Sequence, residues 1–322
     1  MPQARGTQTT VALDQETAYA TDPGAPNASK LYIVKSTLRA SQGRFDSNTL
    51  DASRARTRPS LGNIDVTGAI DMEISAENIG TILKHSIGTS TPTGVGPYTH
   101  TMTIASLPVG MVIEHDYGAN ISGSGRYEKF NGCRANSAAF TFPTEGNCMM
   151  SVDIAGAKST LGATPYDATL TDNGHTPFSS FLAAIKEGGA TIATVTQCDF
   201  KIENGLDKGV FALGGLGQRR ALPEGFATIT GTITALFEDA TLLNKAVNDT
   251  TSSLQITLSR GTGLGTAGNE SIDFLIQQLV YDRTSPAIEG PTGLVVQLPF
   301  RAYKVGANLG LQVTLKNAIA TV

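Results

Sequence analysis

Gly225–Thr234 reads GFATITGTIT, and Gly62–Asp71 reads GNIDVTGAID. Each has a glycine, three residues, a β-branched apolar residue and then Thr-Gly-x-Ile, and the two lie about half the chain length apart. Side chains alternate along a strand. Phe226, Thr228, Thr230 and Thr232 therefore share one face, and Ala227, Ile229, Gly231 and Ile233 share the other. The second face reads as core, and the threonine face as open. Asp65, Thr67 and Ala69 hold the corresponding open positions in the first stretch.

The surroundings of the two stretches run in the same order. Before the first lie LYIVKSTLRA from Leu31, a strand candidate, and a polar loop with Arg54, Arg56 and Arg58. After it, Ser75 is placed to cap a short helix with Ile79, Ile82 and Leu83 on one face and Gly88 as its stop. Strands are expected near Thr99–Ile104 and Gly110–Glu114. A hairpin follows in CRANSAAFTFPTEGNCMMSVDIAG, turning at Pro143–Gly146. Before the second lie the strand ATVTQCDFKIEN and a loop with Arg219 and Arg220. After it, Asp239 is placed to cap a helix with Leu242, Leu243, Ala246 and Val247 as its apolar stripe. The strand SLQITLSR, a Gly-rich loop and a final pair, SIDFLIQQLVYD and GLVVQLPFRAYK, joined across RTSPAIEGPT, complete the series.

An ordered series of matching parts predicts an internal duplication. The expected fold is mainly β: two tandem antiparallel β-sandwich or barrel-type domains, each with a short flanking α-helix. The expected boundaries are an extended N-terminal arm over 1–30, a first copy over 31–163 and a second over 164–322. Residues 176–189, TPFSSFLAAIKEGG from Thr176 to Gly189, fit both a helix and a hairpin turned at Gly188-Gly189; the hairpin is preferred.

Composition narrows function. The 322 residues are 16% charged and carry 35 glycines and no tryptophan, which suits strands joined by turns. A net charge of −4 does not point to a basic surface for gripping nucleic acid. No apolar leader and no long apolar run stand in the sequence, so neither a secretion signal nor a membrane span is expected. Cys133, Cys148 and Cys198 form no C-x-x-C pair and read as buried thiols. A pairing of Cys133 with Cys148 across the hairpin stays open.

The chemistry motifs are weak. Gly263, Gly265 and Gly268 satisfy G-x-G-x-x-G. A dinucleotide site needs that motif to follow directly on a strand and to open a helix. Here Ser259–Thr262 intervene and a strand pattern follows, so a connecting loop is expected. In EHDYG, Glu114 and Asp116 would face away from His115, which argues against a metal cluster. His85, His100, His115 and His175 form no catalytic spacing. No catalytic, metal-binding or cofactor-binding residue is expected. The arginines recur at matching places in both loops, which sets docking on another subunit's acidic surface beside simple solvation as an open alternative.

With these residues in view, the chain resembles the tail tube proteins of long-tailed bacteriophages. The likeness is carried by ETAYATDPG at Glu16–Gly24, GNIDVTGAIDMEI with the helix after it, and PYTHTMTI at Pro97–Ile104. It is most specific where IATVTQCDFKIENGLD is followed by GFATITGTITALFED. It covers nearly the whole chain, and it departs from single-domain members by carrying two copies. The resemblance implies β-sandwich domains of which six close into a ring, and rings that stack into a hollow tube. A doubled chain implies three subunits per ring with pseudo-sixfold symmetry. It further implies a virion protein assembled in the host cytoplasm. Its expected partners are other copies of itself, a tape measure protein inside, a tail terminator and tail tip at the ends, and double-stranded DNA that passes without specific binding. Arg54, Arg56, Arg58, Arg219 and Arg220 become candidates for contacts between rings. Asp65, Thr67, Thr228, Thr230 and Thr232 become candidates for the lumen wall. Two other classes fit less of the sequence: another structural virion component, such as a tail terminator or capsid decoration protein, and a β-sandwich binding module.

Overall fold

The computed structural model describes residues 3–322 apart from 122, 193, 289, 291, 292 and 309. Met1 and Pro2 of the expected arm, Ala193 of the expected hairpin strand, and Glu289, Pro291 and Thr292 of the RTSPAIEGPT joint lie outside the described residues. The elements of the first half are β1 (Thr10–Gln15), β2 (Ser29–Leu31), β3 (Lys35–Ser36), β4 (Arg39–Phe45), β5 (Ser60–Glu73), α1 (Gly80–Ile87), β6 (Ser90–Thr93), β7 (Tyr98–Thr103), β8 (Met111–Asp116), β9 (Tyr127–Phe142), β10 (Met149–Gly156) and β11 (Lys158–Gly162). Those of the second half are β12 (Ala183–Glu187), β13 (Ala190–Thr191), β14 (Val195–Glu203), β15 (Thr228–Leu236), α2 (Thr241–Val247), β16 (Ser252–Ser259), β17 (Ser271–Tyr281), β18 (Val295–Ala302) and β19 (Leu311–Asn317).

The fold is mainly β and antiparallel, as the alternating patterns require. Seven pairings of the first half each have a counterpart in the second, while β3 on β5 has none. In the first, β1 pairs with β2 and β8, β8 with β9, β9 with β10 and β11, β10 with β5, and β5 with β4. In the second, β12 pairs with β13 and β16, β16 with β17, β17 with β18 and β19, β18 with β15, and β15 with β14. Even a register irregularity recurs, between Met111 and Ile113 and between Ser252 and Leu254. The halves then join edge to edge: Ser137–Phe142 of β9 pairs with Cys198–Glu203 of β14. The central layer is thus continuous, in the order β4-β5-β10-β9-β14-β15-β18.

Buried aromatic rings hold that junction. Phe140 and Phe142 from one half pack on Phe200 and Phe274 from the other, with centroids 4.7–6.0 Å apart. Contacts of this kind contribute about 0.5–1.5 kcal/mol per pair beyond the area they bury.

Several expectations are corrected. Residues 10–15 of the expected arm are not outside the core. They form β1, which pairs along its whole length with β8 and buries Val11 and Leu13. In a segment poor in apolar residues, these two and the equally buried Ala12 are enough to anchor it when its backbone groups are met by a neighbouring strand. Ser75 does not cap α1: that helix starts at Gly80, and the Ser75 hydroxyl donates instead to Glu77. Ile79, Ile82 and Leu83 are buried as expected, and the Gly88 N–H closes the helix on the Lys84 carbonyl. Asp239 does hold the first turn of α2, accepting from the Thr241 N–H at 2.8 Å. Val247 of the expected stripe is exposed at the last position of α2. Within 176–189 a hairpin is formed, β12 to β13 through Gly188-Gly189. The β6–β7 hairpin has no counterpart in the second half and pairs across the molecule, β7 on β19. Strand β19 itself was not expected from the sequence.

Candidate assembly surface

The two Thr-Gly strands show why they resemble each other. Val66 and Ile70 of β5, and Ile229 and Ile233 of β15, are buried. Asp65, Thr67, Thr230 and Thr232 are half-buried and Thr228 is exposed, all on the opposite face. Pairing brings this face together across strands: Thr228, Thr230 and Thr232 lie opposite Glu203, Lys201 and Asp199 of β14. A shallow cavity of about 390 Å³ opens there, lined by Thr141, Asp199, Lys201, Thr230, Thr232 and Arg301 among others. Charges of both signs are interspersed on this face: Asp65, Asp71, Glu73, Asp153, Asp199 and Glu203 stand among Lys35, Arg39, Arg44, Lys201 and Arg301.

The arginine candidates separate into two groups. Arg54, Arg56 and Arg58 are exposed on the loop between β4 and β5, with Arg56 paired to the equally exposed Asp46. Arg220 is exposed too. Arg219 is 5% exposed and turned inward. Its guanidinium donates to the carbonyls of Lys208 (2.9 Å), Val66 (3.2 Å) and Gly156 (2.8 Å), and pairs with Asp65. A second-half loop is thereby fastened to the first half, and one ring-contact candidate meets one lumen candidate within a single chain.

Sequence reasoning missed three residues that do similar work. Arg134 of β9 donates to the Leu222 and Leu107 carbonyls and pairs with Glu224. Arg260 pairs with Glu77 and Glu270 and lies 4.5 Å from the centre of the Phe178 ring. Asn204, buried at the end of β14, donates to the carbonyls of Ser86 and Ala135 at 3.0 Å. An arginine inside an otherwise apolar strand, as in NGCRANSAAF, is the signal that marks Arg134.

The chemistry motifs fall in ordinary places. Gly263, Gly265 and Gly268 lie in the loop between β16 and β17. Glu114 accepts the Tyr166 N–H, His115 meets the Ser36 hydroxyl and Asp116 pairs with Arg126. Among the described residues no group of three His, Cys, Asp or Glu is placed to hold a metal ion. Burial pushes the thiol of Cys148 up to about 11 and that of Cys133 well above its usual range. The two do not face each other: Cys133 sits by Gly156 at one end of the β9–β10 ladder, and Cys148 precedes its other end. Among the described residues no helix is long and apolar enough to cross a membrane.

An antiparallel sheet whose two halves join edge to edge and are clasped by arginines defines a mainly β protein. Residues 6–302 match the family model described as Phage tail tube protein, and the chain belongs to that family. No curated protein matches it. Membership makes it a structural component of the bacteriophage tail, not an enzyme, in a family whose members self-assemble into a tube.

Proposed function

We propose that this chain carries two copies of one tube unit, and that three chains close into a pseudo-hexameric ring. Rings stack into the tail tube through which the genome passes. The copies fall in 31–163 and 164–322; the matched pairings favour letting each begin with its own first strand, at Thr10 and Ala183. The single observation that carries the reading is the β9–β14 junction, an edge-to-edge union of two like units inside one chain. An open sheet leaves backbone groups unpaired at its edges, and repeating one rotation until it closes removes them.

On this reading the threonine face of β5 and β15 lines the channel. Its balance of charge favours free passage of DNA, because a cationic wall would hold phosphates. Arg54, Arg56, Arg58 and Arg220 reach the neighbouring ring, while Arg219 supports the loop that presents Arg220. The tape measure protein occupies the lumen before DNA does, the terminator and tip close the ends, and assembly takes place in the host cytoplasm. Electron micrographs of the purified protein test the core of the proposal. Tubes with three chains per ring are expected, and six whole chains per ring would overturn the pseudo-hexamer.

A further inference from the structure

The junction inside the chain specifies the junction between chains. We propose that residues 282–287 of one copy add as a strand to the free edge formed by residues 36–41, from the end of β3 into β4, in a second copy, antiparallel, with Asp282 opposite Ser41, Thr284 opposite Arg39 and Ala287 opposite Ser36. The proposal rests on the ring reading and supplies its contact.

Two open features motivate it. Strand β4, like β3 before it, pairs with β5 on one side and, among the described residues, with no strand on the other. Its counterpart β14 has that same outer side filled by β9. At the far end of the sheet, β9 and β17 also correspond, but their ladders differ in length. The pairing of β9 with β10 runs on to Thr141, whereas that of β17 with β18 stops at Tyr281. Residues 282–288 are left without regular structure, and all except the half-buried Pro286 are exposed. This is the stretch that corresponds to Ser137–Phe142, the part of β9 that joins the halves. It lacks a β14.

The register follows from shared partners. Ala40 pairs with Val66, and Ile202 pairs with Ile229, the equivalent of Val66, so Ala40 corresponds to Ile202. Asp153 faces both Ala69 and Ser137, while Pro299 faces Thr232, the equivalent of Ala69. The Asp282 N–H donates to the Pro299 carbonyl at 2.8 Å, so Asp282 corresponds to Ser137. Within the chain Ser137 faces Glu203 and Ala138 faces Ile202. Transferred to two chains, Asp282 faces Ser41 and Arg283 faces Ala40.

The backbone groups point the right way. Successive residues of a strand direct their N–H and C=O to opposite sides. Since Asp282 points at β18, so do Thr284 and Pro286, and the N–H that proline lacks is not one the second copy needs. Arg283, Ser285 and Ala287 then point outward. On the other side, the Thr37 N–H donates to Ala69 of β5 at 2.8 Å, so Ser36, Leu38 and Ala40 point to the free edge. On the threonine face the side chains agree as well. Asp282 and Arg39 fall on one face as diagonal neighbours of opposite charge.

Disulfide trapping in assembled tubes tests the register. Arg39 and Thr284 form a non-hydrogen-bonded pair, about 4.5 Å between Cα atoms, within reach of a disulfide. The three native cysteines are buried and free. Oxidised tubes of the Arg39→Cys, Thr284→Cys double variant should give covalent species that end at the trimer. Either single variant, or Arg39→Cys with Pro286→Cys, should give none. Hydrogen exchange on the unsubstituted protein supplies the second measurement: amides of Ala40, Arg283 and Ser285 should gain protection on assembly, and that of Thr284 should gain it only as its own hairpin extends. Tubes that form without the matched cross-link, or with the slipped one, overturn the register and leave the ring reading standing. Unsubstituted protein that makes no tubes overturns both. Should the double variant fail to assemble, unchanged exchange at those amides in unsubstituted tubes overturns the proposal, and protection upholds it.

Discussion

Arg219 and Asp65 form an ion pair between the two halves of the chain, with the guanidinium buried and the carboxylate half exposed. The arginine contributes more than charge, because three backbone carbonyls depend on its fork of donors. Replacing Arg219 by Ala leaves those carbonyls without a partner and should lower stability by about 2–4 kcal/mol. Asp65→Asn should cost about 1 kcal/mol or less, since solvent already shares that carboxylate. Denaturant unfolding of unassembled protein reads both. Equal losses from the two variants would mean that the ion pair, not the carbonyl contacts, does the holding.

The glycine of each Thr-Gly stretch is set by its neighbour. A Cβ on Gly68 would overlap the Thr37 carbonyl oxygen, and one on Gly231 would overlap the Asp199 carbonyl oxygen and the Phe300 ring. Thr37 and Asp199 hold equivalent positions in the two halves. Gly231→Ala should therefore destabilise by about 1–3 kcal/mol through overpacking, with Gly68→Ala at least as costly because backbone surrounds it. A thermal melt within a degree of the unsubstituted protein's for either variant would contradict this.

Packing within each half is legible in the sequence. The alternation in β5 and β15 fixed which face was core, since Val66, Ile70, Ile229 and Ile233 repeat at strand period. The order of elements was readable because each half must cover its own sheet in the same way. What could not be read was partnership across the chain. Nothing in TQTTVALDQ says that β1 will find β8, and nothing in PYTHTMTI says that β7 will leave its own half for β19. Arg219 and Arg220 are adjacent in one loop, yet one is buried and the other exposed. Only the path of the backbone past Asp65 separates them.

Acid should loosen the fold in a window that one side chain helps to set. Burial pushes His85 down to about 3, aided by the nearby charges of Lys84 and Arg134. The unfolded chain has an ordinary histidine, near 6.5. Between pH 6.5 and 3 the unfolded state binds the extra proton, so His85 stabilises above pH 6.5 and that contribution is lost as pH falls towards 3. His115, also pushed down by burial, acts in the same direction. His85→Leu should flatten the fall in unfolding free energy between pH 6 and 4 by up to about 1.4 kcal/mol per pH unit. Parallel pH curves for variant and parent would show that His85 is not held neutral.

Exposed arginines can be removed without harming the fold, which separates assembly from stability. Arg54→Glu, Arg58→Glu and Arg220→Glu together should leave the melting of unassembled protein within about 0.5 kcal/mol per site of the parent. If these residues dock on carboxylates of the next ring, the triple variant should form free rings but few or no tubes at moderate salt. Parent tubes should also shorten as salt is raised. Sedimentation and micrographs report both outcomes. Normal tube lengths in the triple variant would remove these arginines from the contact between rings.

The threonine face can be tested by changing its sign. Thr230 and Thr232 are half-buried on the open side of β15, beside Lys201 and Asp199. A lysine there can keep its stem along the sheet and its ammonium in water, so the fold should tolerate Thr230→Lys with Thr232→Lys. Three chains would then add a band of positive charge at two levels of the channel. Each ammonium near a phosphate displaces counterions, and the hold weakens steeply with salt. Phage carrying the double variant should assemble normal tails yet release DNA more slowly at low salt, with the difference shrinking at high salt. Release at the parental rate, from tails of normal length, would place this face away from the DNA path.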